Sequence, residues 1–181
     1  KKKIIAAFLT TAMTIGSLSG VTVFAADAGT DEKVEMADAS DVDGTTITFW
    51  HSMGGVNGEA IDTLVKKFND ENEYGITVDA QYQGEYDDSL NKLKSAQIGN
   101  MGADLVQVYE IGTRFMIDSG WIVPMQQMID ADSYDVSEIE PNLAAYYTID
   151  NELYSMPFNS STPIMYYNKD MFDKAGITEI P

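Results

Sequence analysis

The groups with which this chain could do chemistry are few. It has one histidine, His51, and no cysteine. Without cysteine there is no disulfide framework, no thiolate zinc site and no cysteine nucleophile. With one histidine, a His-rich metal site is out, and a Ser-His-Asp triad would have to run through His51. Four short polar clusters remain. They are His51-Ser52-Met53-Gly54-Gly55 after Trp50; Gln83-Gly84-Glu85-Tyr86; Glu110 followed by Gly112-Thr113; and Asn159-Ser160-Ser161-Thr162. Together they offer an imidazole, a phenol, a carboxylate and several hydroxyls. A carboxylate accepts from two hydroxyls, and Tyr and Ser can donate or accept. That is equipment for hydrogen-bonding a polyol. Each residue also has a plainer reading. Glu110 could cap the helix that follows it. Tyr86 could be packing at a helix start. Ser160 and Ser161 could satisfy backbone in a turn. His51 could be a hydrogen-bonded structural histidine, and Trp50 an ordinary strand residue. Asn159-Ser160-Ser161 fits the glycosylation sequon, a pattern too short to carry weight. There is no phosphate-binding G-x-x-x-x-G-K-[ST] loop, no G-x-G-x-x-G after a strand and no G-x-S-x-G elbow.

For the clusters to meet, strand ends must bring them to one rim. Thr45–Trp50 is β-branched and aromatic and reads as a strand. Gly54–Gly58 reads as a turn-rich loop. Ile61, Leu64, Val65 and Phe68 recur at helical spacing, and Asn69–Gly75 stops that helix. Ile76–Tyr82 is the second strand and Tyr86–Ala96 the second helix. That helix carries Asp87 and Asp88 early and Lys92 and Lys94 late, as the helix dipole favours. Ala103–Tyr109 reads as a third strand, apolar enough for a buried parallel position. Thr113–Ser119 reads as a short helix ending at Gly120. Strand and helix alternate, so the fold class is α/β with crossover connections. In such sheets ligands bind beyond the carboxyl ends of the strands, where the clusters fall. Further on, Val136–Ile149 reads as helix, Leu153–Pro157 and Pro163–Tyr167 as strands, and Lys169–Ala175 as a helix stopped by Gly176. Met116, Met125 and Met128 read as core filling.

The chain has 181 residues and a formal net charge of −18. Three of its 11 basic residues are Lys1, Lys2 and Lys3, so the rest is more acidic still. Such a body is a poor partner for nucleic acid or anionic lipid, and the acidity reads as solubility. Lys1–Lys3, the uncharged stretch Ile4–Ala26 and Val23-Phe24-Ala25 together form an export signal, so residues 1–25 are expected to be a signal peptide rather than a membrane anchor. Leu18-Ser19-Gly20 opens like a lipoprotein signal, but Val21 stands where the lipidated cysteine would be. Residues 26–44 are small, polar and acidic and are expected to form a disordered tether. The α/β lobe is then expected over 45–181.

Three blocks carry a resemblance: Phe49-Trp50-His51-Ser52-Met53, Gln107-Val108-Tyr109-Glu110-Ile111-Gly112-Thr113, and Pro157-Phe158-Asn159-Ser160-Ser161-Thr162-Pro163 with Tyr166-Tyr167-Asn168-Lys169-Asp170. Together they resemble the glycerol-phosphate branch of the extracellular solute-binding proteins of ABC importers, the group that includes maltose-binding protein. The likeness runs from about Thr46 to Gly176. It implies a periplasmic-binding-protein-like (type II) fold, two α/β lobes joined by a hinge, of which this chain would hold the N-terminal one. It implies glycerol-3-phosphate or a glycerophosphodiester as ligand, ABC permease subunits as partners, an extracytoplasmic monomer, no cofactor and no catalysis. Carried over by motif, Tyr86, Glu110 and Ser161 fall on ligand-contacting positions, with Ser160 beside them and Trp50 and His51 near the cleft. The second lobe would bring the phosphate contacts. Arg114, the only arginine, is not expected to reach them. The alternatives are an oligosaccharide-binding protein of a sugar importer and, from another class, a fragment of an exported hydrolase.

Overall fold

A computed structural model describes residues 39–99 and 101–179, together with Val34 and Ala37. The signal-peptide reading of residues 1–25 and most of the tether reading lie outside the described residues. The end of the tether reading is corrected. Ala39–Val42 forms a single helical turn, α1. Val42 is 1% exposed and packs with Ile76, Ala37, Ile47 and Tyr74. One apolar side chain in an acidic stretch found a pocket, and its burial holds the turn. The turn is tied down by Thr45 N–H donating to Val42 O (3.0 Å) and Gly44 N–H donating to Gly75 O (3.1 Å). Gly75 has φ +69°, and a Cβ there would come within 2.0 Å of Asp43 Oδ1. The positive φ favours glycine, and a side chain there would also have to displace the Asp43 carboxylate.

The sheet is built on β1 (Thr46–His51), which lies between β2 (Thr77–Tyr82) and β3 (Leu105–Val106), all parallel. Thr46 pairs with Thr77 and the register runs through to His51 opposite Tyr82. On the other side Phe49 meets Leu105 and Trp50 meets Val106. The third strand is shorter than Ala103–Tyr109, and it is not buried. The Asp104 carboxylate takes the Thr48 N–H at 2.8 Å, ending the ladder on that side. Leu105 is 50% exposed, at the edge of the sheet formed by the described residues.

The first crossover is α2 (Gly55–Glu71), which begins where a loop was expected. Of its apolar residues Ile61 is buried, whereas Leu64 is 61% exposed. Two asparagines bind its end to the sheet. Asn69 places its side-chain amide against Val78 of β2, accepting from its N–H (2.8 Å) and donating to its C=O (3.0 Å). It completes the free edge of β2 as a further strand would. Asn72 donates to Phe68 O and Ile76 O and accepts from Ile76 N–H, closing the helix and launching the strand.

The second crossover, α3 (Tyr86–Ile98), buries Ser89 and Leu93. Lys94 Nζ lies 4.4 Å from the centre of the Phe115 ring on α4 (Thr113–Ser119), a cation–π contact. Gly120 ends α4 in the left-handed conformation. The remainder departs from expectation. An additional helix, α5 (Met125–Asp132), follows Pro124. The helix read over Val136–Ile149 is only α6 (Pro141–Tyr147), since Pro141 belongs at a helix start. Its last residues turn into β4 (Thr148–Ile149), antiparallel to β5 (Glu152–Leu153). Met116, Ile129 and Leu153 form buried points here. Residues 163–167 make no strand. Ile164, Met165 and Tyr166 are 65%, 78% and 85% exposed and find no strand to pair with among the described residues. The chain then enters α7 (Lys169–Lys174), capped by Asn168 accepting from Met171 N–H. No described helix is long and apolar enough to cross a membrane.

Along β1, Phe49 and His51 face one way and both are buried. Their rings lie 5.5 Å apart, with Tyr82 6.0 Å from His51 on the other side. Met53 N–H donates to His51 Nδ1 at 3.3 Å, which puts the neutral ring's proton on Nε2. Burial lowers the His51 pKa below its ordinary 6.5, opposed by the charge of Asp62.

Two predictions follow from this packing. Val42→Ala should cost about 1.5–3 kcal/mol in urea unfolding, while the exposed Asp41→Ala should stay within about 0.5 kcal/mol; equal, negligible effects would return residues 39–43 to a solvated tether. For His51 the unfolded chain binds the proton more readily than the folded one. Its contribution to stability is therefore complete above pH 6.5 and declines as pH falls below it. Unfolding free energies measured from pH 7.5 to 5 should decline in the native protein, and His51→Asn should flatten that stretch of the curve.

Candidate functional site

The carboxyl ends of β1, β2 and β3 point the same way because the strands are parallel. Three of the polar clusters leave the sheet there, and a hydrogen-bond chain brings in the fourth. Beyond β1 the backbone N–H of Ser52 donates to Oε1 of Gln107 at 2.9 Å. The Gln107 backbone N–H returns a bond to Trp50 O, so the residue is fixed by main chain and side chain together. Gln107 Nε2 donates to Asn159 Oδ1 at 2.7 Å, and Asn159 Nδ2 donates to the Tyr86 hydroxyl at 3.2 Å. The loop after each strand and the Asn159-Ser160-Ser161 segment are thus joined through three side chains. Ser52 and Gln107 are 6% and 8% exposed. A buried amide just beyond a strand must find partners for both ends, and this one does. The Ser52 hydroxyl, by contrast, is buried with no hydrogen-bond partner among the described residues.

Two ring contacts hold the outer members. Phe158 meets the Phe49 ring edge-on at 6.0 Å, which seats the Pro157–Thr162 segment against β1. Tyr86, at the first turn of α3, stacks on Tyr109 with centroids 5.4 Å apart and planes 3° from parallel. Tyr109 donates its hydroxyl to Asp87 at 2.5 Å, and that bond is the main reason its pKa is raised. The stack carries the chain directly into Glu110, which opens a 3₁₀ turn, Glu110–Gly112.

The six sequence-derived residues do not share one environment. Tyr86 is half-buried and belongs to the hydrogen-bond chain. Glu110, Ser160 and Ser161 are exposed, and their side chains make no hydrogen bond or ion pair with a described residue. They are adjacent in sequence to Tyr109 and Asn159, which the chain and the stack do fix. His51 is buried and bonded to its own loop, as the structural reading has it. Trp50 turns to the opposite face of β1 and donates from Nε1 to Gln81 on β2 at 3.1 Å. Arg114 is engaged with Asp118 on its own helix, at 2.7 and 3.0 Å. Gln107 and Asn159 were not among the selected residues. The available signal was a lone amide in the apolar run Leu105-Val106-Gln107-Val108.

Residues 63–181 match the family of the bacterial extracellular solute-binding proteins. The sn-glycerol-3-phosphate-binding periplasmic protein UgpB of Salmonella typhimurium is 44% identical over 139 residues, 74% of this chain and 31% of the relative. UgpB of Escherichia coli K12 is 42% identical over 139 residues, with the same coverage. The chain therefore spans about a third of the length of these curated relatives. Among solved structures, the sugar-binding protein MalE of Xanthomonas citri aligns with a TM-score of 0.56 at 24% identity, over 76% of this chain and 34% of that one. A solute-binding protein of Thermotoga lettingae TMO, bound with α-D-tagatose, aligns with a TM-score of 0.51 at 28% identity, over 74% of this chain and 33% of that one. The periplasmic-binding-protein-like α/β fold expected from the sequence is the fold these neighbours share. With more than half of its residues inside the family match, this chain belongs to the bacterial extracellular solute-binding proteins.

Proposed function

We propose that this chain forms one side of the ligand cleft in a solute-binding protein of an ABC importer, exported to the periplasm or the outer face of the cytoplasmic membrane, and that the ligand is glycerol-3-phosphate or a glycerophosphodiester. The observation that carries the reading is the joined rim: three side chains tie four loops together and leave Glu110, Ser160 and Ser161 with uncommitted polar groups beside it. The UgpB relatives, named for sn-glycerol-3-phosphate, support the choice of ligand.

The mechanism is capture without chemistry. A monomer with two lobes closes about a hinge, and ligand favours the closed form because only there do both lobes touch it. On this side Glu110 accepts from glycerol hydroxyls, and Tyr86 and Ser161 add bonds of their own. The phosphate falls to the other lobe, consistent with Arg114 being occupied by Asp118. The closed form then docks on the permease.

In the whole protein, calorimetric titration with glycerol-3-phosphate should show saturable binding. Glu110→Ala should weaken it roughly ten- to hundredfold, the loss of about 1.5–3 kcal/mol for a charge-assisted bond. Unchanged affinity would remove Glu110 from the site. Maltodextrins and mannobiose, titrated alongside, test the oligosaccharide reading. Hydrolysis of a glycerophosphodiester to an alcohol and a phosphomonoester by the whole protein would favour the hydrolase.

A further inference from the structure

The hydrogen-bond chain across the rim has a direction, and the direction is imposed at its buried end. A backbone N–H can donate and cannot accept. The Ser52 N–H therefore requires the oxygen of the Gln107 amide, which it meets at 2.9 Å. That choice turns Gln107 Nε2 outward, and the group 2.7 Å away must be the acceptor, Asn159 Oδ1. Asn159 is thereby committed in turn. Its Nδ2 faces the Tyr86 hydroxyl at 3.2 Å and donates to it. The phenol oxygen is then an acceptor within the protein, and its own proton is left to point elsewhere. The ring cannot swing away to spend that proton, because it is stacked on Tyr109, which is itself held by Asp87.

From this we infer that Gln107 and Asn159 are positioning residues: they keep Tyr86 a hydrogen-bond donor toward the bound solute, so the solute atom it meets is an acceptor oxygen, a hydroxyl or ester oxygen of its glycerol part. The inference rests on the reading of this rim as the ligand cleft. It deepens that reading by specifying a polarity that residue types leave open, since a tyrosine hydroxyl can donate or accept. It also separates the work of the rim: Glu110 accepts hydrogen bonds from solute hydroxyls, and Tyr86 donates one.

An isosteric inversion tests it. In Asn159→Asp the new carboxylate accepts both from Gln107 Nε2 and from the Tyr86 hydroxyl, so the phenol proton is spent inside the protein. In the whole protein, affinity for glycerol-3-phosphate should fall roughly tenfold or more with the melting temperature little changed. The same substitution in a Tyr86→Phe background should cost nothing further. A loss that persists there comes from charge repulsion of an anionic solute, and would overturn the inference. Gln107→Glu inverts the chain one link earlier, and should behave in the same way if Asn159→Asp does not fold. A readout without ligand stands beside these. One Nε2 proton of Gln107 and one Nδ2 proton of Asn159 should be protected from exchange with solvent in NMR spectra of the free protein. If the whole protein takes up none of the offered glycerol phosphates, the proposed function falls, and the exchange measurement still decides the chain: protection supports it and free exchange overturns it.

Discussion

A buried amide must have both its ends satisfied, and at Gln107 that requirement joins the sheet to the rim. Its oxygen closes the N–H of Ser52, the first residue beyond the central strand, and its nitrogen reaches a segment 52 residues further along the chain. Either end left open would cost about 1–3 kcal/mol of desolvation with nothing in return. The position of Asn159 is thus set by the sheet, although Asn159 itself is exposed. Phe158 on Phe49 adds an apolar fastening one residue away. The segment is held by one hydrogen bond from Gln107 and one ring contact with β1, and Ser160 and Ser161 follow in sequence with their hydroxyls free of described partners.

The sheet has its own economy of polar groups. It has only three strands among the described residues, and two of them lie at an edge. Asparagine and aspartate side chains do the work that further strands would do. Asn69 closes Val78 on the outer side of β2, and Asp104 takes the Thr48 N–H on the side of β3. Each substitution of side chain for strand is short and local, and each ends a ladder as well as completing it. The Asp104 bond is where the third strand begins later than its apolar composition suggested.

What could be read in the sequence followed the range of the forces involved. β1, β2, α3 and α4 depend on local propensity and on glycines that stop them, and their spans were legible to within about two residues. The extra helix after Pro124 and the turn at Ala39–Val42 were not. α5 has one buried apolar residue, Ile129, and α1 is held by the single contact region of Val42. Neither pattern is long enough to show a period. Residues 163–167 failed in the opposite direction: their β-forming composition is real, but a strand needs a neighbour, and composition does not supply one. At the site, the residue types that can bind a polyol were visible because they interrupt apolar runs. The two amides that arrange them were less visible, because Gln and Asn in sequence look the same whether they are solvated or committed. Tyr86 is legible by its own phenol, but the amide of Asn159 that donates to its hydroxyl from 73 positions away is not.

The single histidine illustrates how burial decides between two roles for one side chain. His51 ends the central strand, next to the rim, where an imidazole could meet a ligand. Its ring instead lies between Phe49 and Tyr82, at 3% exposure, with Nδ1 accepting from the Met53 N–H. A neutral, enclosed imidazole is poorly suited to hold an anionic solute, and burial lowers its pKa further from the charged form. Its physical role is to fix the exit of β1, and so the direction in which the Ser52 N–H points. That N–H is where the chain of amides begins. The Gln107 and Asn159 side chains continue that chain to the Tyr86 hydroxyl, so the geometry of the turn at His51 is linked to the rim by hydrogen bonds.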